Sequence, residues 1–524
     1  MKLWRAPLAG VALALCLWSA WFLAQGSARI AGARVPCVAD DALITLAYAK
    51  NLDDGFGLDW SRRGDPVEGF TDPLWLLLLV PLVAPDLPRP LLAWAAPLLG
   101  LASLVLLLWV ADRFAGRALG LGAGERRRAL ILVAGLYPLA YWSLQGMETA
   151  LEAALIVGIA GLGIDQLRAG GRQRELGWAG GVAGLVRPDA LLAWAAVELV
   201  LAIERRSGTA REVLAGLARL ALPLAAWQAF RLVYFADPLP NTYYLKLAAT
   251  DLAARLARGV WTTLPFAAAA LPLVALALAA RRRGSRPELG LGLAVWAVFP
   301  LYGIWVGGDA WDEIVTISAN RFQAASLPLL ALLAAPALGP LAAACGARLP
   351  TARLRPAVLP VGALLLVIWV NSRPGWSGWS EGVARLLVNE PPPQCVAGMN
   401  VLERLRALER ALPPETTVAT VWAGTPAFYS RFPLYDLLGF NDRRIARQAP
   451  RAGRSLAEWR EFWPGHVKWD RELALATDRP GAFFQLPRGW PADSPAVLAA
   501  AGYRPWRGFW IRGDLMDAAR RPRG

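Results

Sequence analysis

Long apolar runs recur along the first 370 residues of this sequence, and they constrain its fold more than any other feature. A helix needs about 20 mostly apolar residues to cross a membrane. The chain is 56% hydrophobic and only 18% charged, whereas ordinary soluble domains carry roughly 25% charged residues. The sequence therefore predicts a polytopic α-helical membrane protein. The predicted spans are Pro7 to Gln25, Leu91 to Val110, Leu130 to Leu144, Thr149 to Leu162, Val213 to Phe235, Trp261 to Ala280, Leu289 to Val306, Phe322 to Cys345 and Pro356 to Val370.

A further apolar stretch, between Gln173 and Arg205, is interrupted by Arg187-Pro188-Asp189. Basic residues flank both of its ends, which predicts a helical hairpin whose polar tip points outward. Counting the hairpin as two helices gives about eleven spans. Leu74 to Val83 is too short to span and lies among prolines, so we expect a juxtamembrane or re-entrant helix there.

Basic clusters at the ends of apolar runs orient the predicted spans. Arg126 to Arg128 and Arg281 to Arg283 occupy such ends, and Lys and Arg are retained on the cytoplasmic side of a membrane. The N-terminus is then cytoplasmic. The expected domains are a membrane domain at 1–370, with an acidic first outer loop at 26–73, and an extracytoplasmic α/β domain at 371–524.

The last third of the chain alternates helical and extended patterns, which is typical of a small α/β domain. Val401 to Leu412 is expected to be helical. The expected strands are Thr417 to Trp422, Phe432 to Leu438, Gly481 to Leu486 and Phe509 to Arg512. Cys37 and Cys395 would share the oxidising side of the membrane, where they form either a disulfide or two isolated thiols.

Composition excludes several classes of chemistry. The net charge of +15 is spread over the chain rather than gathered in one polycationic segment, which argues against nucleic-acid binding. His466 is the only histidine, and the four cysteines form no CxxC pair. Common zinc sites and a histidine-based triad are therefore not expected. Carboxylates, arginines and tyrosines remain to carry any reaction.

Acidic residues are concentrated in the first outer loop, where Asp40 and Asp41 begin a predicted helix. A helix N-terminus stabilises a carboxylate. One aspartate is a candidate general base toward a sugar hydroxyl, and the other would orient substrate or a metal ion. The alternative is N-capping of the helix by one of the two.

Other polar residues interrupt the apolar pattern at the predicted outer ends of spans, where ionisable groups are costly and mark candidate sites. These candidates for donor-phosphate or substrate binding are Glu148, Arg187, Asn241, Tyr243, Tyr244, Lys246, Asp309 and Arg321. Alternatives stay open. Arg187 could pair with Asp189, Lys246 and Arg321 could reach the membrane interface, and the two tyrosines could belong to an aromatic belt.

Ordered sequence blocks resemble a known family. They begin with Asp40-Asp41-Ala42 and continue through Val67-Glu68-Gly69-Phe70-Thr71. Later blocks are Gly146-Met147-Glu148-Thr149-Ala150, Leu185-Val186-Arg187-Pro188-Asp189, Pro240-Asn241-Thr242-Tyr243-Tyr244-Leu245-Lys246, Gly307-Gly308-Asp309, Asn320-Arg321-Phe322, Asp436-Leu437-Leu438-Gly439-Phe440-Asn441-Asp442 and Pro464-Gly465-His466. Together they resemble GT-C fold membrane glycosyltransferases, a family that includes the mycobacterial terminal β-1,2-arabinofuranosyltransferase and related motor-control or lipopolysaccharide-biosynthesis proteins.

The resemblance implies a sugar donor linked to polyprenyl phosphate, transfer on the outer face of a bacterial inner membrane, and a catalytic carboxylate at Asp40 or Asp41. Arabinofuranose is one candidate sugar, and the acceptor would be an envelope glycan or glycolipid. Glu68 joins the substrate-binding candidates, and Asp442 and His466 are candidates in an acceptor-binding domain. A purely structural role for the polar residues of that domain is the alternative, since Asp, Asn and Gly also form turns. A divalent ion (Mg, Mn or Ca) held by the aspartates is an open alternative.

Two other functions fit parts of the pattern. A lipid-sugar flippase would require polar residues that continue to the cytoplasmic face, together with inverted repeats. Neither is evident in the sequence. A non-enzymatic envelope or flagellar assembly factor would act through the C-terminal outer domain.

Overall fold

The computed structural model describes residues 6–30, 32–280, 286–315, 317–349, 351–373, 379–388 and 393–520. The basic cluster Arg281 to Arg283, which helped to orient the predicted spans, lies outside the described residues. Helices dominate as far as residue 411, and the strands of one sheet alternate with short helices after it.

The helices are α1 (Ala6–Gln25), α2 (Asp40–Asp53), α3 (Pro73–Val83), α4 (Arg89–Leu92), α5 (Ala95–Arg117), α6 (Ala123–Ala134), α7 (Tyr137–Leu144), α8 (Thr149–Ala169), α9 (Gln173–Val186), α10 (Leu191–Ile203), α11 (Ala210–Tyr234), α12 (Asn241–Lys246), α13 (Leu252–Ala280), α14 (Arg286–Val306), α15 (Arg321–Ala324), α16 (Leu327–Ala347), α17 (Arg355–Asn371), α18 (Trp379–Leu387), α19 (Pro393–Ala411), α20 (Thr425–Tyr429), α21 (Arg443–Ala446), α22 (Arg471–Leu473), α23 (Ser494–Ala500) and α24 (Met516–Arg520). The strands are β1 (Ala28–Ile30), β2 (Ala33–Val35), β3 (Val418–Thr420), β4 (Leu434–Asp436), β5 (Ala482–Phe483), β6 (Tyr503–Trp506) and β7 (Phe509–Arg512).

Eight helices in the described part of the chain are long and apolar enough to cross a membrane by length and composition. The other three of the eleven or so predicted spans are shorter helices. The predicted span at Leu130 to Leu144 is divided between α6 and α7. The hairpin arms are α9, with 14 residues, and α10, with 13. As expected, α3 is a short apolar helix of 11 residues.

The chain forms two compact units. Unit 1 contains Met1–Gln25, Leu98–Trp227 and Val260–Pro391, and unit 2 contains Gly26–Pro97, Gln228–Gly259 and Pro392–Gly524. This grouping differs from the predicted division at residue 370, because the first loop belongs to the same unit as the C-terminal domain. Its helix α2 packs against α20 of that domain.

Unit 1 is a helical bundle in which α16 has a central place. This helix packs on α6, α8, α14 and α17, and its residues from Leu327 to Ala335 are all buried. A helix that is apolar all round must be surrounded by other helices or by lipid. The expected hairpin is confirmed, since the backbone turns at Arg187 between α9 and α10.

Unit 2 contains a five-stranded sheet with the strand order β4-β3-β5-β7-β6. Strands β4, β3 and β5 are parallel, whereas β7 runs antiparallel to β5 and forms a hairpin with β6. Each of the four predicted strand segments contains one strand, and β6 was not predicted. The disulfide between Cys37 and Cys395 is present and joins the first loop to α19.

Candidate functional site

Helix α2 of unit 2 begins with the two candidate catalytic aspartates. Its N-cap is Ala39, and neither aspartate caps the helix with its side chain. The Asp40 carboxylate instead accepts hydrogen bonds from the backbone N–H groups of Gly424 (3.0 Å) and Thr425 (2.7 Å), and from the Thr425 hydroxyl (2.9 Å). The alternative of simple N-capping is therefore wrong for this pair.

The two aspartates have different environments. Asp40 is buried, whereas Asp41 is half-buried. Burial raises the pKa of the Asp40 carboxyl to about 6, the neighbouring charge of Asp41 adds to the rise, and the hydrogen bonds from Gly424 and Thr425 oppose it. Asp40 is thus held by its own unit, while Asp41 is the more accessible carboxylate.

The contact between α2 and the Gly424–Thr425 turn needs glycine at position 424. A Cβ atom there would lie 1.8 Å from the Asp40 carbonyl oxygen. No side chain fits at this distance, so any other residue at position 424 would push α20 away from the start of α2.

Glu68 forms a buried ion pair with Arg231. Its carboxylate accepts two hydrogen bonds from the Arg231 guanidinium, one at 3.1 Å from Nη2 to Oε1 and the other from Nε. A bidentate pair of this kind fixes the orientation of both side chains. The backbone carbonyl of Glu68 also accepts a hydrogen bond from the Asn241 N–H at 2.9 Å.

Asn241 begins α12 and fastens it to the loop after β4. Its side-chain amide donates to the carbonyls of Gly439 (2.8 Å) and Phe440 (2.9 Å). That loop is itself shaped by Asp436, whose carboxylate accepts hydrogen bonds from the N–H groups of Leu438, Gly439 and Asn441. Burial raises the pKa of Asp436 to about 6.

Lys468 is a second anchor for α12, and no sequence pattern indicated it. Its ammonium is fully buried and donates to three backbone carbonyls, those of Tyr244 (2.7 Å), Ala248 (2.9 Å) and Ala446 (2.9 Å). Burial lowers the pKa of Lys468 to about 8, so the ammonium still predominates at neutral pH. Three donors matched to three acceptors tie the C-terminal part of α12 and the residues after it to the end of α21.

Two predicted site residues that are far apart in sequence meet at one aromatic ring. The Lys246 ammonium lies 5.5 Å from the centre of the Phe440 ring, and the His466 ring lies 5.7 Å from the same centre. Asp442 has a different role. It caps α21 by accepting from the N–H groups of Arg444 and Ile445. Tyr243 is exposed, and Tyr244 is half-buried.

In unit 1, Arg187 is surrounded by carboxylates. It donates to Glu148 at 2.5 Å and to Asp189 at 3.0 and 3.3 Å, and its Nε lies 3.5 Å from Glu152. All four side chains are buried. The pairing with Asp189 that the sequence left open is present, and Glu152 is a member that sequence reasoning missed.

Arg321 forms a second buried pair in unit 1, with Asp309 at 3.0 and 3.2 Å. The Phe322 ring lies beside both arginines, at 5.3 Å from the Arg321 guanidinium carbon and 5.1 Å from that of Arg187. Both arginines are therefore paired with buried carboxylates.

The aspartate pair does not fit a metal site well, because Asp40 is surrounded by hydrogen-bond donors. Among the described residues, no group of three or more His, Cys, Asp or Glu side chains is placed to hold a metal ion. No catalytic step is therefore assigned to a metal.

The chain resembles one solved membrane protein over almost its whole length. The match to ArnT from Cupriavidus metallidurans in the apo state covers 97% of this chain and 98% of the ArnT chain, with a TM-score of 0.59 and 15% sequence identity. The chain shares its fold with ArnT. ArnT bound to undecaprenyl phosphate covers 82% of this chain and 85% of that chain, with a TM-score of 0.52 and 16% identity.

The likeness to ArnT confirms the expected fold class, a GT-C type helical membrane protein with a C-terminal sheet domain. The archaeal oligosaccharyltransferase AglB from Archaeoglobus fulgidus gives a lower TM-score of 0.45, at 12% identity, over 82% of this chain and 64% of that chain. A family model described as a domain of unknown function (DUF8728) matches residues 396–506. No curated protein matches the sequence.

On this ArnT-like fold, the predicted site residues divide between the two units. Unit 2 holds Asp40, Asp41, Glu68, Asn241, Tyr243, Tyr244, Lys246, Asp442 and His466, and unit 1 holds Glu148, Arg187, Asp309 and Arg321. Their roles in catalysis stay predictions. The residues that sequence reasoning missed are the partners that hold the site, namely Thr425, Arg231, Glu152 and Lys468.

Proposed function

We propose that this protein is a membrane glycosyltransferase that takes a sugar from a polyprenyl-phosphate carrier and transfers it to an envelope glycan or glycolipid. One observation carries the proposal: the chain shares its fold with ArnT, and one ArnT structure is bound to undecaprenyl phosphate. The order of the sequence blocks, which resembles GT-C glycosyltransferases, supports the same reading.

The proposed base is Asp41. A general base must be able to reach the acceptor hydroxyl, and Asp41 is the more accessible member of the pair. It would take the hydroxyl proton while the acceptor oxygen bonds to the sugar C1 and the bond from C1 to the phosphate oxygen breaks. The carrier then leaves as polyprenyl phosphate. Asp40 is a positioning residue, because its oxygens hold the Gly424–Thr425 turn.

The leaving phosphate needs a cation to stabilise its developing charge. Lys246 is the preferred candidate, because it is half-buried and lies on α12, which Asn241 and Lys468 hold in place. Arg187 and Arg321 were also candidates. Their close pairing with carboxylates favours a structural role for both.

The sugar and the orientation belong to the proposal as well. Arabinofuranose remains one candidate sugar, on the sequence resemblance alone. The proposed orientation has a cytoplasmic N-terminus and unit 2 outside the cytoplasm. The disulfide in unit 2 supports it, because such bonds persist in oxidising compartments. Alkaline phosphatase fused to the C-terminus should be active in cells, and an inactive, stably expressed fusion would reverse this orientation.

The decisive experiment is a transfer assay with the purified full-length protein, polyprenyl-phosphate sugars including the arabinofuranosyl form, and a synthetic glycan acceptor. Wild-type protein should form product, and Asp41→Asn should form it roughly 10²- to 10⁴-fold more slowly. Asp65→Asn, a change at an exposed acid in the same loop, serves as the matched control and should keep full turnover.

Different outcomes would support the rival functions. Vesicles that move a labelled lipid-linked sugar across the membrane without transferring it would support a flippase. An Asp41→Asn variant that fully restores a deletion strain would support a non-enzymatic assembly factor. Either result, together with no product from the wild-type protein, would overturn the proposed reaction.

A further inference from the structure

Three aromatic rings on unit 2 contact one another in succession, and a cation lies beside the ring at each end. In order, the members are Arg488, Trp463, His466, Phe440 and Lys246, and we name this set the cation–ring row. The Arg488 guanidinium carbon lies 6.0 Å from the Trp463 ring centre, and the Trp463 and His466 rings stack at 4.5 Å with 19° between their planes. The His466 and Phe440 rings meet edge to face at 5.7 Å, and Lys246 lies 5.5 Å from the Phe440 centre.

The turn that carries His466 is shaped to fit this row. Gly465 has a φ of +78°, and a Cβ atom there would lie 2.7 Å from the Phe440 ring and 3.4 Å from Cε of Lys246. Only glycine combines this backbone conformation with so close an approach. His466 Nδ1 lies 3.0 Å from the Pro464 carbonyl oxygen. Since that oxygen can only accept, Nδ1 donates the hydrogen bond.

The row combines two kinds of recognition on one surface. Lys246, Trp463 and His466 are half-buried and Arg488 is exposed, whereas Phe440 is buried, so the row reaches solvent at every member except Phe440. Rings with an apolar body and a polar tip offer both contact area and hydrogen bonds, which suits the mixed faces of a sugar ring. Lysine and arginine bind phosphate oxygens by charge-assisted hydrogen bonds.

We propose that the cation–ring row binds a sugar that carries a phosphate group. The sugar ring packs on Trp463 and hydrogen-bonds His466, and the phosphate pairs with Lys246 or Arg488 at an end of the row. This inference deepens the proposed function and rests on it for its biological meaning. The phosphate could belong to the lipid-linked donor or to a phosphorylated glycan, and both share the same chemistry.

Direct binding tests the proposal without requiring turnover. The full-length protein in detergent is titrated calorimetrically with glucose 1-phosphate, inorganic phosphate and glucose. We expect glucose 1-phosphate to bind at least 10-fold more tightly than either of the other two probes. Undecaprenyl phosphate is then added as a competitor. Displacement assigns the phosphate to the lipid carrier, absence of displacement assigns it to a glycan, and either result supports a sugar-phosphate site.

Variants locate the binding on the row. Trp463→Ala and Arg488→Ala should each weaken binding of glucose 1-phosphate at least 5-fold. Arg488 is exposed, so its replacement leaves folding intact even if the Trp463 variant is unstable. Trp506→Ala is the matched control, because Trp506 also lies beside an arginine, Arg507, elsewhere on the same unit, and it should leave binding unchanged.

Equal binding of glucose and glucose 1-phosphate, or equal affinity in the Arg488 variant and the wild type, would overturn the proposal. Asp41→Asn should keep the binding while losing transfer. A protein that binds glucose 1-phosphate on the row but never transfers a sugar would refute the proposed function and leave the site standing.

Discussion

Asp40 and Thr425 are 385 positions apart in sequence, and the carboxylate of the first accepts hydrogen bonds from both the backbone N–H and the hydroxyl of the second. The acidic pair is therefore asymmetric. Asp40 connects the start of α2 to the Gly424–Thr425 turn, and Asp41 is more accessible. Adjacent residues of the same type are thus expected to respond differently to the same substitution.

Asparagine at position 40 should lower stability, whereas asparagine at position 41 should lower activity. In Asp40→Asn, the side-chain NH2 group would face the N–H donors of Gly424 and Thr425. A buried donor left without an acceptor costs about 1–3 kcal/mol. Asp41→Asn should change the free energy of unfolding by less than about 0.5 kcal/mol and reduce turnover by roughly 10²- to 10⁴-fold. Thermal unfolding in detergent and the transfer assay measure both quantities. The reverse pattern would exchange the two roles.

Burial of Asp40 predicts a pH dependence of stability. Its pKa is about 6 in the folded protein and about 3.9 in an unfolded chain. Between these values the folded state binds more protons at Asp40, so the contribution of Asp40 to stability is greatest below about pH 4 and decreases as the pH rises to about 6. The melting temperature should follow this decrease, and Asp40→Asn should reduce the slope. Some slope should remain because Asp436 has a similarly raised pKa. A melting temperature that rises over this interval for both proteins would contradict the assignment.

The helical architecture could be predicted because membrane spans are encoded locally. Apolar runs in the sequence predicted the hairpin of α9 and α10, and short runs of strand-forming residues predicted β3 and β5. The compact units could not be predicted in this way. Unit 2 is assembled from three separate segments, and no local pattern shows that a loop near residue 40 will pack on residue 425.

The acidic residues of the candidate site could be predicted from the sequence, but the residues that hydrogen-bond to them could not. Asp40 and Glu68 stood out as acidic residues within a basic protein. Their partners Thr425 and Arg231 are ordinary in their local sequence, because a threonine or an arginine is common and only the fold brings it to a carboxylate. Lys468 gave no signal at all. Its function as an anchor depends on three backbone carbonyls, which every residue possesses.

The pair of Glu68 and Arg231 should show strong coupling in a double-mutant cycle. Their side chains are 1% and 14% exposed, and breaking a buried pair by removing one partner costs about 3–5 kcal/mol. Glu68→Gln and Arg231→Gln should each be strongly destabilising. The double variant should recover part of the loss, because no uncompensated charge remains. Additive losses measured by chemical unfolding would show that the pair does not act as a unit.

Replacing Lys468 should destabilise the protein much more than replacing a lysine that forms only partly exposed ion pairs. Lys468→Met keeps the apolar stem and removes the ammonium, so the carbonyls of Tyr244, Ala248 and Ala446 lose their shared donor. Each unsatisfied buried carbonyl costs about 1–3 kcal/mol, and the melting temperature should fall markedly. The control is Lys50→Met, since Lys50 forms ion pairs with Asp53 and Asp54 on the partly open face of α2 and such pairs contribute about 0–1 kcal/mol.

Because Lys468 also holds α12, which carries Lys246, the Lys468→Met variant should raise the KM for the lipid-linked donor at temperatures where the protein remains folded. A folded Lys468→Met protein with unchanged KM would show that the position of α12 does not depend on this anchor.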